Sequence, residues 1–166
     1  AALDLAEAAG LDVGCTTAAP SSFQGAIQEY RANVDDPDPQ DHFLSLMIWR
    51  SDDAAIYLIR GEDTSASQAG FISYQDTWQE GQPEVPADCT GMAVPPGYQM
   101  PIRGFGKAWC ANNLAGVIGW PSIREDVAWL IVQSTERGLL MQASFSGRGY
   151  LVAVDLVNGR AAAQQL

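Results

Sequence analysis

The apolar residues of this chain fall mostly into strand-sized runs punctuated by turn residues. In the second half the runs cover 128–134, 138–145 and 150–157. Glu136-Arg137-Gly138, Ser146-Gly147-Arg148-Gly149 and Asn158-Gly159 separate or end them. In the first half the runs cover 25–30, 43–50 and 55–59. Ahead of each series stands a helix-like segment, DLAEAAGLDVGC at 4–15 and WCANNLAGVIGW at 109–120, and a polar turn follows each one. The two series align. Val13-Gly14-Cys15-Thr16 lies over Ile118-Gly119-Trp120-Pro121 at an offset of 105, and Leu46-Met47 over Leu140-Met141 at an offset of 94. An acidic, proline-bearing insertion at 31–41 absorbs the difference.

This pattern predicts a mainly β (α+β) fold of two tandem helix–turn–antiparallel-meander repeats packed as one domain. Copy one covers 1–76, a Pro/Gly-rich strap covers 77–103, and copy two covers 104–166. Neither copy is large enough to fold well alone, so their apolar faces are expected to pack together. Copy one has a further β-prone run at 70–78, whereas 160–166 reads as a short Ala/Gln tail. Copy two is therefore expected to lack a strand and to leave a sheet edge open. A partner, or a neighbouring copy of the chain, would fill that edge by β-augmentation, as a ring or filament in the second case. Cover from 98–103 or from the N-terminal segment is the alternative.

Charge narrows the partners. Twenty acidic residues face nine basic ones, a net charge of −11, and Lys107 is the one lysine. Such a surface repels phosphate backbones and anionic membranes, so neither nucleic-acid binding nor membrane insertion is expected. The longest apolar run, 127–132, is strand-sized rather than membrane-sized. Residues 1–10 are acidic and carry no legible signal peptide. The cysteines are Cys15, Cys89 and Cys110, and they lack the clustered spacing of a zinc site. Cys89 and Cys110 bracket a Gly/Pro-rich loop, which favours a disulfide between them and an oxidising compartment. Buried reduced thiols are the competing reading. Cys15 is left over, buried or available to a partner.

Pro101-Ile102-Arg103-Gly104-Phe105-Gly106-Lys107-Ala108-Trp109, followed by Ile118-Gly119-Trp120-Pro121, resembles a module of secreted proteins from Chloroflexota-type bacteria. That module reads RGFGKVW, then LGWA, then a hairpin with a Met-x-Trp and an Ile-Tyr. Met47-Ile48-Trp49-Arg50 with Ile56-Tyr57-Leu58-Ile59 is similar to the hairpin, and Tyr74-Gln75-Asp76-Thr77-Trp78 to the segment after it. The unit distantly resembles the LGFP repeat of cell-wall-associated proteins. The resemblance implies a secreted or surface-attached accessory domain and carries over no catalytic residues. Copy two departs from the pattern, with Gln142 in place of the hairpin tryptophan.

Candidate chemistry is sparse. His42, the one histidine, follows the acidic insertion and reads as a surface residue. Asp35, Asp36, Asp38 and Asp41 are the one metal-like cluster, but two prolines and the lack of a glycine pivot favour a solvated acidic loop over calcium. Arg103 to Lys107 lacks the spacing of a phosphate loop and reads as a tight helix start, with Arg103 in a salt bridge. Trp109, Trp120 and Trp129 are assigned to the core. Trp78, Tyr74, Tyr98 and Trp49 are the candidate interaction residues, and no cofactor is expected. The leading reading is a non-catalytic extracytoplasmic structural subunit or protein-interaction module. A cell-wall or glycan-binding module is the alternative, which a shallow aromatic groove and retention on wall polysaccharide would favour. A small hydrolase trails.

Overall fold

The computed structural model describes residues 1–31, 44–60 and 69–166. Its fold is mainly β. The strands are β1 (Ser21–Arg31), β2 (Leu44–Arg50), β3 (Ala55–Ile59), β4 (Ala69–Gln75), β5 (Trp120–Pro121), β6 (Asp126–Ser134), β7 (Gly138–Phe145), β8 (Arg148–Asp155) and β9 (Arg160–Gln165). Eight of them close an antiparallel barrel in the order β1-β2-β3-β4-β9-β8-β7-β6, with β6 returning to β1. The short β5 pairs with the far end of β1. The helices are α1 (Ala2–Ala8), α2 (Arg103–Ala111) and α3 (Ala115–Ile118).

The barrel wall sorts side chains by period two. Ile27, Leu46, Ile48, Leu130, Met141 and Val152 are among those that fill the lumen, so it is a packed core and not a channel. Outside, Met47, Ile56 and Leu58 of β2 and β3 pack with Phe105, Trp109 and Leu114 of the α2–α3 region. Leu140, Ala153 and Ala162 of β7, β8 and β9 lie under Ala6 and Ala9 at α1, together with Leu11 and Val13. Each helical segment thus covers the meander of the opposite half of the chain.

Ion-pair networks stopper the two ends of the lumen. At one end Arg50 forks onto Asp52, Nη2 to Oδ2 at 2.7 Å, and donates from Nη1 to the Tyr57 hydroxyl at 2.8 Å. At the other, buried Glu29 accepts from Arg148 Nη1 at 3.1 Å and from the Tyr150 hydroxyl at 3.0 Å. Burial, then the charge of Glu29, pushes the Tyr150 phenol well above its usual value. Burial likewise raises Tyr30, which donates to Gln28 Oε1 at 2.7 Å on the outer face. Both phenols are neutral in the native state at a pH where the unfolded chain begins to ionise. Their contribution is therefore complete below about pH 10 and is lost as pH rises above it. Urea unfolding between pH 9 and about 11.5, followed with phenolate absorbance, is expected to show stability falling above about pH 10. The share of the phenolate signal that belongs to Tyr30 and Tyr150 should appear only with unfolding.

Several expectations are corrected here. The helix expected over 4–15 ends at Ala8, because Gly10 has φ 61° and closes a Schellman turn. Gly10 N–H bonds Glu7 O, and Leu11 N–H bonds Ala6 O. The helix expected over 109–120 begins at Arg103 and breaks at Asn113, φ 52°, where Asn113 N–H bonds Cys110 O and Leu114 N–H bonds Trp109 O. The offset of 94 sets lumen-facing Leu46 over Leu140, which lies outside the barrel. An offset of 93 keeps the faces, a one-residue slip being enough to reverse every side chain. Finally, residues 160–166 are no tail. Arg160–Gln165 is β9, paired with β8 along its length and with β4 at Ala69 and Gly70, so copy two does not lack the strand that a partner was expected to supply.

Candidate functional site

With the lumen filled, the principal aromatic cleft lies outside the barrel, against β1, β2, β3 and β6. Gln24, Gly25 and Ala26 of β1, Trp49 of β2, Ile56 of β3 and Val127 of β6 form its floor. Asp76 and Trp78, which follow β4, make one wall, and Arg103, Gly104 and Phe105 at the start of α2 make the other, with Glu125 at the rim. The cleft encloses about 290 Å³, close to the lower end of the roughly 300–1,000 Å³ usual for ligand sites. Gly25 has no room for a Cβ, which would overlap the Trp49 carbonyl oxygen, so β1 and β2 approach closely beneath the cleft. Gly104 is equally constrained, since a Cβ there would sit 2.5 Å from Asp76 Oδ1.

Arg103 ties the walls together. Its φ of 52° is a left-handed conformation that a non-glycine residue seldom adopts. Its backbone N–H donates to Glu84 O at 2.6 Å, and its guanidinium reaches Glu84 Oε1 at 2.6 Å and Glu125 Oε1 at 3.4 Å. The same guanidinium lies over the Trp78 ring, 5.6 Å from its centroid. Trp78 is held in turn by its indole N–H to Pro83 O at 3.2 Å and its backbone N–H to Asp76 Oδ1 at 2.9 Å. Burial pushes the Glu125 carboxyl above its usual range. The Arg103 guanidinium opposes that rise, and the charges of Asp76 and Glu84 add to it. The indole N–H of Trp49 and Nε–H of Arg103 have no hydrogen-bond partner among the described residues.

Of the residues singled out from sequence, Trp49 and Trp78 come together in this cleft. Tyr74 lines a neighbouring, more open groove of about 530 Å³ between the strap and α2, with Pro83, Asp88 and Lys107. Tyr98 lies apart, in a turn closed by its N–H to Pro95 O. Cys89 and Cys110 are bonded, and Cys15 is free and exposed. Asp35, Asp36, Asp38, Asp41 and His42 lie outside the described residues. The core assignment holds for Trp109, which is fully buried, but fails for Trp129, which is 50% exposed on the outer face of β6 between Val127 at 65% and Ile131 at 39%. Ala128, Leu130 and Val132 alternate with them into the lumen. Sequence reading gave no role to Glu125 or to Asp76, which it quoted only within the Tyr74–Trp78 segment, and the two come together only in the folded chain. Comparison with protein-family models, with curated proteins and with solved structures finds no match to this chain.

Proposed function

We propose that this chain is a non-catalytic extracytoplasmic protein-interaction module, built from two copies of one unit. It binds an apolar, basic partner segment along the outer face of β6 and into the adjoining cleft. The outer face of β6 carries this reading. Outward apolar residues of β2 and β3 are covered from the α2–α3 region and those of β7 to β9 from α1, but Val127, Trp129 and Ile131 stay exposed. A strand apolar on both faces is usually buried on both, and contiguous exposed apolar surface marks interaction sites. The net charge of −11 and the carboxylates of the cleft favour a basic partner. The Cys89–Cys110 bond and the resemblance to a secreted module support a place outside the cytoplasm.

Strand pairing supports two copies. One offset of 105 carries the Thr16↔Thr135 bridge onto the pair Pro121↔Tyr30. The β1·β6 ladder is centred on Gln24↔Trp129, again at an offset of 105. Gly14 and Gly119, also 105 apart, have φ of 71° and 73°. An approximate two-fold axis relating the halves accounts for all of these.

A displayed random-peptide library, selected on the wild type and compared with Trp129→Ser, tests the proposal. Apolar, basic peptides should be enriched and should bind the variant roughly tenfold or more weakly. Equal binding to the variant overturns the proposal. Retention on purified wall polysaccharide that the substitution abolishes, with no peptide enriched, replaces it with a glycan-binding module. That second reading is favoured by Trp49, Trp78 and Trp129, whose indoles suit stacking on sugar rings. Self-association in sedimentation that the substitution abolishes makes a second copy the occupant instead.

A further inference from the structure

Resting on that reading, we propose that the cleft is a recognition pocket for an organic cation, a guanidinium or alkylated ammonium group presented by the partner segment. The aromatic lining comes first. Trp49 in the floor and Trp78 in the wall reach the cleft from two separate segments, beside Ile56 and Val127, and an indole face attracts cations more strongly than any other side-chain ring. The charge balance comes second. Asp76 and Glu125 line the cleft and Glu84 stands at its edge, three carboxylates against the single guanidinium of Arg103. Arg103 is already shared between Glu84 and Glu125, and Asp76 has no ion-pair partner among the described residues.

The chain has also solved this problem once internally. Arg103 lies over Trp78 at 5.6 Å while two carboxylates hold its nitrogens, which is the arrangement an incoming cation would repeat between Trp49 and Asp76. At about 290 Å³ the cleft suits a single head group and not a folded element. A neutral sugar would satisfy the indoles but leave the excess carboxylate charge uncompensated in a partly desolvated site, where such charge is costly. The net charge of −11 would draw a cation in and weaken that attraction as salt is added.

Four probes separate the alternatives: choline, Nα-acetylarginine amide, the neutral choline isostere 3,3-dimethylbutan-1-ol, and N-acetylglucosamine. Each is titrated into the whole chain while the indole N–H resonances of Trp49, Trp78 and Trp109 are followed. Choline and Nα-acetylarginine amide should shift Trp49 and Trp78, leave Trp109 in place, and bind at least tenfold more tightly than the neutral isostere. Asp76→Asn, which keeps an acceptor for the Trp78 N–H, should weaken choline about tenfold with an unchanged urea midpoint, and Trp49→Leu should weaken choline by a similar factor. Equal binding of the neutral isostere, stronger binding of N-acetylglucosamine, or no shift with any probe overturns the inference. In the last case, peptides still lost in Trp129→Ser leave the interaction module standing without its cation pocket. If the peptides fail too, both readings fall.

Discussion

Trp109→Ala is expected to destabilise the fold by about 3–5 kcal/mol, while Trp129→Ala changes stability by no more than about 0.5 kcal/mol. Trp109 projects from α2 into the layer between that helix and the barrel and is fully buried against Tyr30, Met47, Leu58 and Ile118. Its indole N–H donates to Gly119 O at 2.9 Å, and its ring centroid lies 4.9 Å from that of Trp120. Truncation removes the largest side chain of the cluster, opens a cavity and leaves the Gly119 carbonyl unpaired. The 50% exposed Trp129 has no such role, and its loss should appear in binding and not in folding. Urea unfolding of the three proteins checks both halves. A Trp109→Ala midpoint equal to the wild-type one would mean that α2 is not anchored as described.

That contrast marks how far the chain could be read in advance. The strands at Ala55–Ile59 and Gly138–Phe145 coincide with their apolar runs, and β1, β6 and β8 differ from theirs by a few residues at the ends. These runs sit on a barrel wall whose inner face must be apolar, so the pattern follows directly from burial. The helix ends were less legible. Gly10 and Asn113 terminate helices in segments whose apolar spacing continues past them, and that spacing outweighed the stop signal that Gly or Asn gives just past a helix end. β9 was invisible because alanine and glutamine are poor strand formers. Its alanines fit for a packing reason, Ala161 filling the lumen and Ala162 lying beneath α1, where larger side chains would collide.

The site was half legible. Trp49 and Trp78 stood out as aromatics among polar or repeat-specific neighbours, and both line the cleft. Asp76 and Glu125 did not, because they reach the cleft from the end of β4 and the approach to β6, and Arg103 at the start of α2 was read only as a salt-bridge residue. Their meaning lies in their proximity to one another, which no local pattern encodes. Trp129 was misread for a related reason. The run 127–132 is apolar at every position, so a period of two could not say which face was left uncovered.

Replacing both Cys89 and Cys110 by serine is expected to lower stability by about 3 kcal/mol, whereas Cys15→Ser is expected to stay within about 0.5 kcal/mol of wild type. Cys89 ends the 3₁₀ turn Ala87–Cys89 in the strap, and Cys110 lies in the last turn of α2, with 5.4 Å between their Cα atoms. The bond closes a loop of separation 21, and most of its effect comes from restricting the unfolded chain. The native strap keeps other attachments. Lys107 Nζ donates to Thr77 O at 2.9 Å, and Arg103 N–H donates to Glu84 O. The double variant should therefore still fold, with a lower urea midpoint and a looser Trp78 wall, and should bind cationic probes more weakly. Alkylation of the native chain should label Cys15 alone, the exposed free thiol, and label Cys89 and Cys110 only after reduction. Equal midpoints for the double variant and wild type, or prompt labelling of Cys89 without reductant, would mean that the strap is held to α2 by packing and not by this bond.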